Sequence, residues 1–305
     1  MLQGEVDSSL IVLSNSGILS DWLLGKLADS SVLVIEAITW ILLVGQAVYL
    51  SLIARKHQLV ANQILMPGAM YLLVMNLIPE FLPLSSILFA NTFLMLALNQ
   101  LLKTYRHSSA ARLIFDVGIW VAVACLFHFS YGGFILLSLV GLGTLRAFKI
   151  SEAITMWLGV LCIAFLLFAH AFWYDQLAII WSEQVLNNVS WLDFQMNNDL
   201  VTYISLSLVG IIVAIVIFGY SGIVQRQNIQ FQKKVNVLYW TLLIGGIAIL
   251  FNVDNTVIQA AIIGIPAGVL LGLLLSNISK TTAEVIHLLL FIAVVAWHYH
   301  PYWLK

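Results

Sequence analysis

Apolar stretches approaching the roughly 20 residues needed to cross a bilayer recur along this chain, each closed off by a short polar or charged break. Ten are recognisable, at 31–54, 64–83, 84–102, 113–130, 134–148, 153–173, 200–219, 235–251, 256–276 and 281–297. They are continuously apolar rather than alternating, which is not the pattern of a membrane barrel strand. Run 64–83 contains Pro67 and Asn76, and run 134–148 is short for a comfortable crossing. A chain that is 62% hydrophobic and 9% charged cannot hide its apolar surface in one water-soluble core. The expected fold is therefore all-α: a polytopic transmembrane helix bundle of about ten transmembrane helices with short loops, forming a single transmembrane domain over residues 1–305.

Basic residues set the orientation, because loops rich in lysine or arginine resist translocation. With the chain start outside, the inner loops hold Arg55, Lys56, Lys103, Arg106, Arg112, Arg146, Lys149, Arg226, Lys233, Lys234 and Lys280, which leaves only Lys26 and Lys305 outside. Most acids fall on the other side, with Asp116, Glu152 and Glu284 the exceptions. A wrong helix count would scramble this segregation, so it supports ten crossings of a cell inner membrane with the start of this chain on the periplasmic side. Residues 1–30 and 174–199 become outer-face segments. Within the latter, Leu177, Ile180, Trp181, Val185 and Leu186 recur at helical spacing, as expected of an interfacial helix, and Leu19, Trp22, Leu23 and Leu27 suggest a second one. Residues 1–30 show no basic region followed by an apolar one, so the first apolar helix is expected to act as the targeting signal.

Several chemistries find no footing. The formal net charge of −1 gives no electrostatic footprint for nucleic acid, and the two cysteines, Cys125 and Cys162, exclude a disulfide framework and a CxxC motif. No GxSxG nucleophile elbow and no phosphate-cradling glycine loop is present, and no cofactor is expected. Transporters tend to place ionisable groups near the bilayer midplane, whereas here Glu36, Asp116 and Glu284 sit near helix ends. Their ordinary reading is snorkelling or a local ion pair, for example of Asp116 with Arg112. The two histidines nearest the midplane, His128 and His170, read as partners in local hydrogen bonds. Gly264-Ile265-Pro266-Ala267-Gly268 lies within an apolar run and reads as a kink whose glycines permit close helix packing, with no charged or amide residue close to it. His298 and His300 are weak metal candidates. Two residues apart in a helix they point about 200° from each other, so shared ligation requires the helix to have ended, as Pro301 suggests.

From about 66 to 176 the chain carries Met66-Pro67-Gly68-Ala69-Met70-Tyr71-Leu72-Leu73, Leu88-Phe89-Ala90-Asn91-Thr92-Phe93, Phe115-Asp116-Val117-Gly118-Ile119-Trp120, Cys125-Leu126-Phe127-His128-Phe129, Arg146-Ala147-Phe148 and Trp157-Leu158-Gly159. In these segments, a little over a third of the chain, it resembles a Bacteroidota family of polytopic inner-membrane proteins of unknown function. The resemblance implies a membrane location and no particular activity. It also implies one more apolar helix ahead of the segment that here starts at Met1.

Two functions follow as expectations. The first is a scaffold or assembly subunit of an envelope complex, for secretion or surface-structure assembly, whose partners are the lipid bilayer and other membrane or periplasmic proteins. The alternative is an enzyme that transfers sugar from a lipid-linked donor at the outer face. Asp21, Asp29 and Glu80 would then be the catalytic candidates, since such a reaction needs a carboxylate to orient or deprotonate the acceptor. Against it, Lys26, Lys305 and histidines are all the outer face offers to hold a diphosphate, and phosphate sites favour arginine. A transporter ranks third.

Overall fold

A computed structural model describes residues 11–12, 17–60, 64–107, 109–181, 200–225, 227–250, 257–278 and 280–303. The chain is helical almost throughout. In order it forms α1 (Ile18–Ala28), α2 (Val32–Lys56), α3 (Met66–Leu77), α4 (Ser86–Lys103), α5 (Ala111–Phe127), α6 (Phe134–Leu145), α7 (Ile150–Trp173), α8 (Leu177–Trp181), α9 (Leu200–Phe218), α10 (Tyr220–Val224), α11 (Ile229–Leu250), α12 (Gly264–Ser276) and α13 (Lys280–Trp303). Short 3-10 segments cover Pro79–Phe81, Phe129–Gly133 and Val257–Ile263. The strands among the described residues are β1 (Ile11–Val12) and β2 (Leu84–Ser85), paired in parallel with Ile11 opposite Leu84.

Four of these stretches are long and apolar enough to cross a membrane, namely Val32–Lys56, Ser86–Lys103, Ile150–Trp173 and Val257–Ser276. Shorter apolar helices at Met66–Leu77, Phe129–Leu145, Tyr203–Phe218 and Thr281–Ile292 accompany them. The membrane-length helices are thus fewer than the ten apolar runs. One cause is proline. Pro79 cannot donate to a helix ladder, so α3 ends at Leu77 instead of continuing to 83. Another is tight turning, since Phe129–Gly133 coils as a 3-10 segment and leaves α6 with 12 residues.

The centre of the bundle is a seam of small residues. A Cβ added at Gly264, Gly268 or Gly272 would lie 2.7 Å from Met75 Sδ, 2.5 Å from Tyr71 Cα and 2.5 Å from Pro67 Cα, so α3 runs antiparallel to α12 with the two backbones nearly touching. On its other side α3 meets α2, where a Cβ at Gly68 would be 2.2 Å from the Ala47 carbonyl oxygen. Small residues at four-residue spacing permit this approach in the way they do in membrane helix pairs. The glycine reading of 264–268 is therefore what the packing shows. Pro266, however, does not kink a helix: it occupies the first turn of α12 after the 3-10 segment, where its missing N–H has no ladder partner to lose.

Charges separate to two ends of this bundle. Asp21, Asp29, Glu36 and Glu80 lie at one, beside the start of α2 and the end of α5, because Gly17 N–H and the Ser20 hydroxyl both donate to the Phe127 carbonyl. Arg55, Lys56, Lys103, Lys233 and Lys234 gather at the other, joined there by Lys234 Nζ donating to the His57 carbonyl at 3.0 Å. At this basic end Lys233 and Lys234 also face the Tyr105 ring, each 5.9 Å from its centroid.

Candidate functional site

The buried polar side chains assemble from residues far apart in sequence. Near the acidic end, Ser86 at the start of α4 and His128 just past α5 meet at 3.1 Å, and His128 Nε2 lies 3.0 Å from Gln259 Oε1. Toward the middle, the Tyr131 hydroxyl donates to Asn91 Oδ1 at 2.7 Å, and Asn91 Nδ2 donates to the Ala261 carbonyl. Asn91 also stands beside the Tyr71 hydroxyl, which donates to Gln46 Oε1. Gln46 Nε2 in turn donates to the Leu88 carbonyl at 2.7 Å and the Thr92 hydroxyl oxygen at 2.8 Å. Ser86, Asn91, His128 and Gln259 are all buried. An unmade hydrogen bond on such a group costs about 1–3 kcal/mol, and these side chains are mutually bonded except at Gln259 Nε2, which is buried without a partner.

The amides of this network were the missed signal. Gln46, Asn91 and Gln259 each lie in an apolar run, where a search for charges passes over them. Asn91 and Gln259 moreover stand at the 3-10 segment leading into the glycine seam, which corrects the expectation that no amide lies near it.

The sequence candidates are spread along the acidic end. Asp21 is exposed on α1, and Asp29 is exposed at its C-cap. Helix α1 forms where Leu19, Trp22, Leu23 and Leu27 suggested an interfacial helix, but its apolar residues are not gathered on one face, and it docks on the bundle through buried Ser20 and Leu24, with Trp22 outward and Lys26 Nζ 4.0 Å from its ring centroid. Glu80 sits in the 3-10 turn after α3 and is half-buried; its Oε2 is enclosed without a hydrogen-bond partner. Nearby, Glu36 and Thr39 of α2 face Pro79, Leu82 and Pro83 across a cavity of about 320 Å³. Among the described residues no three acids, histidines or cysteines come close enough to share a metal ion. The side chains of His298 and His300 fall outside the described residues, but the backbone of α13 stays helical through Trp303, so the helix end that joint ligation requires at Pro301 is not found. The helix expected through Leu177, Ile180, Trp181, Val185 and Leu186 begins as α8, while 182–199 are outside the described residues.

Other expectations resolve locally. Asp116 accepts from Gln100 at 3.1 Å, and Gln100 accepts from Lys103 at 2.6 Å, in place of an ion pair with Arg112. Arg146 and Glu152 form a salt bridge of 3.0 Å across the α6–α7 turn. His170 is exposed on α7, its ring 4.7 Å from that of Tyr174. Cys125 is half-buried and Cys162 is exposed on α7.

The basic end carries a second cavity, about 490 Å³, lined by Tyr49, Leu52, Ile53, Arg55, Lys56 and Asn99. His57 Nε2 lies 3.0 Å from Asn99 Oδ1, and Asn99 Nδ2 donates to the Tyr49 hydroxyl oxygen at 2.8 Å. Burial, helped by the nearby Lys234, Lys56 and Lys103, pushes the His57 imidazole down to about 4 despite the hydrogen bond to Asn99. The ring is neutral at physiological pH, so Nε2 carries the proton and donates to the amide oxygen.

Compared with family models, curated proteins and solved structures, the chain finds no match in any of the three.

Proposed function

We propose that this chain is an integral inner-membrane protein of ten crossings, with its basic end in the cytoplasm, that acts as a scaffold or assembly subunit of an envelope complex. What carries the reading is the state of the polar groups inside the bundle. Gln46, Tyr71, Asn91, Tyr131, Ser86 and His128 are tied to one another or to backbone carbonyls, a cross-linked interior suited to holding helices in register. The ten crossings are supported by the ten helices of twelve or more residues among the described residues, and by the separation of acids from bases along α2 and its neighbours. Membership of the Bacteroidota family belongs to the same proposal.

The test is mass spectrometry of the full chain purified gently from its own membranes. Stoichiometric protein partners accompanied by bulk phospholipid are expected. A bound polyprenyl-linked sugar without protein partners would overturn the scaffold.

One observation favours the sugar-transfer reading as a second choice. Glu80 Oε2 is enclosed yet unbonded, and a carboxylate kept in that state is suited to accept a proton or hydrogen bond from an arriving hydroxyl. Glu80→Gln tests it: a scaffold keeps its partners and its cellular function, whereas an enzyme loses function while still inserting and assembling.

A further inference from the structure

The face between α2 and α4 carries two cavities that share Tyr49. The one at the basic end is lined by Arg55, Lys56 and Asn99 as well. The other, about 270 Å³, is apolar apart from Gln46 and Thr92, and Ile41, Gly45, Met95 and Leu96 form its walls. The residues on α2 advance by three or four, from Ile41 through Gly45 and Tyr49 to Leu52 and Lys56, so the two cavities lie along one helix face as a single groove. That face rises about 22 Å from Ile41 to Lys56 at 1.5 Å per residue. One bilayer leaflet measures about 20–22 Å including its headgroups.

The chemistry of the groove changes along its length as a lipid does. At the basic end, Arg55 and Lys56 are exposed and take part in no salt bridge among the described residues. Lys103, which donates to Gln100 and lies near the Asp116 carboxylate, also feels the like charge of Lys56, a repulsion that an anion beside Lys56 would relieve. The neutral donor relay runs His57 to Asn99 to Tyr49, and it ends on a hydroxyl that accepts from Asn99 and keeps its own proton to donate into the cavity. Toward the middle, Gly45 supplies room: a Cβ built on it meets nothing within 4 Å.

We propose that this groove binds a phosphate-bearing lipid, its anionic headgroup held by Arg55, Lys56 and the Tyr49 hydroxyl and one acyl chain laid along Gly45 between α2 and α4. The site stands whether the chain scaffolds or catalyses. Basic pockets between membrane helices recruit phosphate headgroups by this combination of point charge and directed donors. A free phosphate ion would use the same headgroup contacts, so the tail end of the groove decides between the two sources.

The experiment titrates the purified full chain, in neutral detergent, with dioctanoyl phosphatidylglycerol, dioctanoyl phosphatidylcholine or inorganic phosphate, and reads the thermal unfolding midpoint. Phosphatidylglycerol is expected to raise the midpoint well beyond phosphatidylcholine. Arg55→Gln and Lys56→Gln each raise its half-saturating concentration about fivefold, the worth of one cation near an anionic headgroup. Gly45→Leu fills the tail groove and weakens the lipid while leaving any response to inorganic phosphate unchanged. Without ligand all three variants keep the wild-type midpoint, because Arg55 and Lys56 are exposed and the space at Gly45 is open. Equal shifts from the two lipids, or no shift from either, overturn the proposal. So does a phosphate response that matches phosphatidylglycerol and is indifferent to Gly45→Leu.

Discussion

Helices α12 and α7 are almost equally apolar, yet they occupy opposite situations. The span that ends in α12, Val257–Ser276, has a mean hydropathy of 2.3 and is 89% buried, while Ile150–Trp173 has 2.1 and is 11% buried. Hydropathy therefore separates membrane-length segments from the rest and says nothing of which lie at the centre. Residue size does. Along α12, Gly264, Gly268 and Gly272 let α3 approach to backbone contact, whereas α7 presents Phe165, Leu166, Phe172 and Trp173 outward. Helix α7 is held chiefly along one line, where Gly118 of α5 and Gly159 of α7 fit against each other's backbones. In a bilayer, large side chains serve against lipid and small ones against helices, because lipid tails compete equally for apolar contact but not for close backbone approach.

That contrast can be broken at three points. Gly268→Leu carries the largest expected effect, since even its Cβ would sit 2.5 Å from Tyr71 Cα with buried helices on all sides. Loss of monodisperse protein on size-exclusion chromatography is expected, and a normal elution profile would mean that the α3–α12 seam is looser than described. Gly159→Leu makes as close a clash, its Cβ 2.3 Å from the Phe115 carbonyl oxygen, but on a peripheral helix with room to shift. It should fold and lose about 1–3 kcal/mol, the usual range for overpacking, visible as a lowered midpoint. Equal damage from both glycine substitutions would erase the distinction between centre and edge. Phe165→Leu is expected to stay within about 0.5 kcal/mol, like other substitutions on an uncovered face. A loss well above that would show Phe165 covered by a partner, which the scaffold reading predicts for some part of this face.

What could be read from the sequence follows from the range of the forces involved. The apolar runs answer to local composition, and every one of the ten contains a helix. Boundaries were less legible. Helix α11 starts at Ile229 rather than 235, because its first turns carry Gln230, Gln232, Lys233 and Lys234 to the basic end, beyond the apolar stretch. The polar interior was illegible for a different reason. Gln259 meets His128 across 131 positions and Asn91 meets Ala261 across 170, and no periodicity in a single helix encodes such pairings. Of the carboxylates selected by type, Glu80 alone has an enclosed and unbonded oxygen; Asp21 and Asp29 are on the surface, as is common for acids at helix ends. The tandem cations Arg55 and Lys56 were read as topology signals, and their second property, walling a cavity with Tyr49 and Asn99, depends on α4 lying alongside.

The α3–α12 seam has a consequence for how the protein is made. Tyr71 is translated about 200 residues before Gly268, which at about 5–20 residues per second is a delay of roughly 10–40 s. During that interval α3, 12 residues long and carrying Asn76, has no glycine face to lean on. The insertion machinery, or α2 alone, must shelter it until Gly264–Ser276 arrives. Early truncations should accordingly be degraded rather than accumulate as half-bundles.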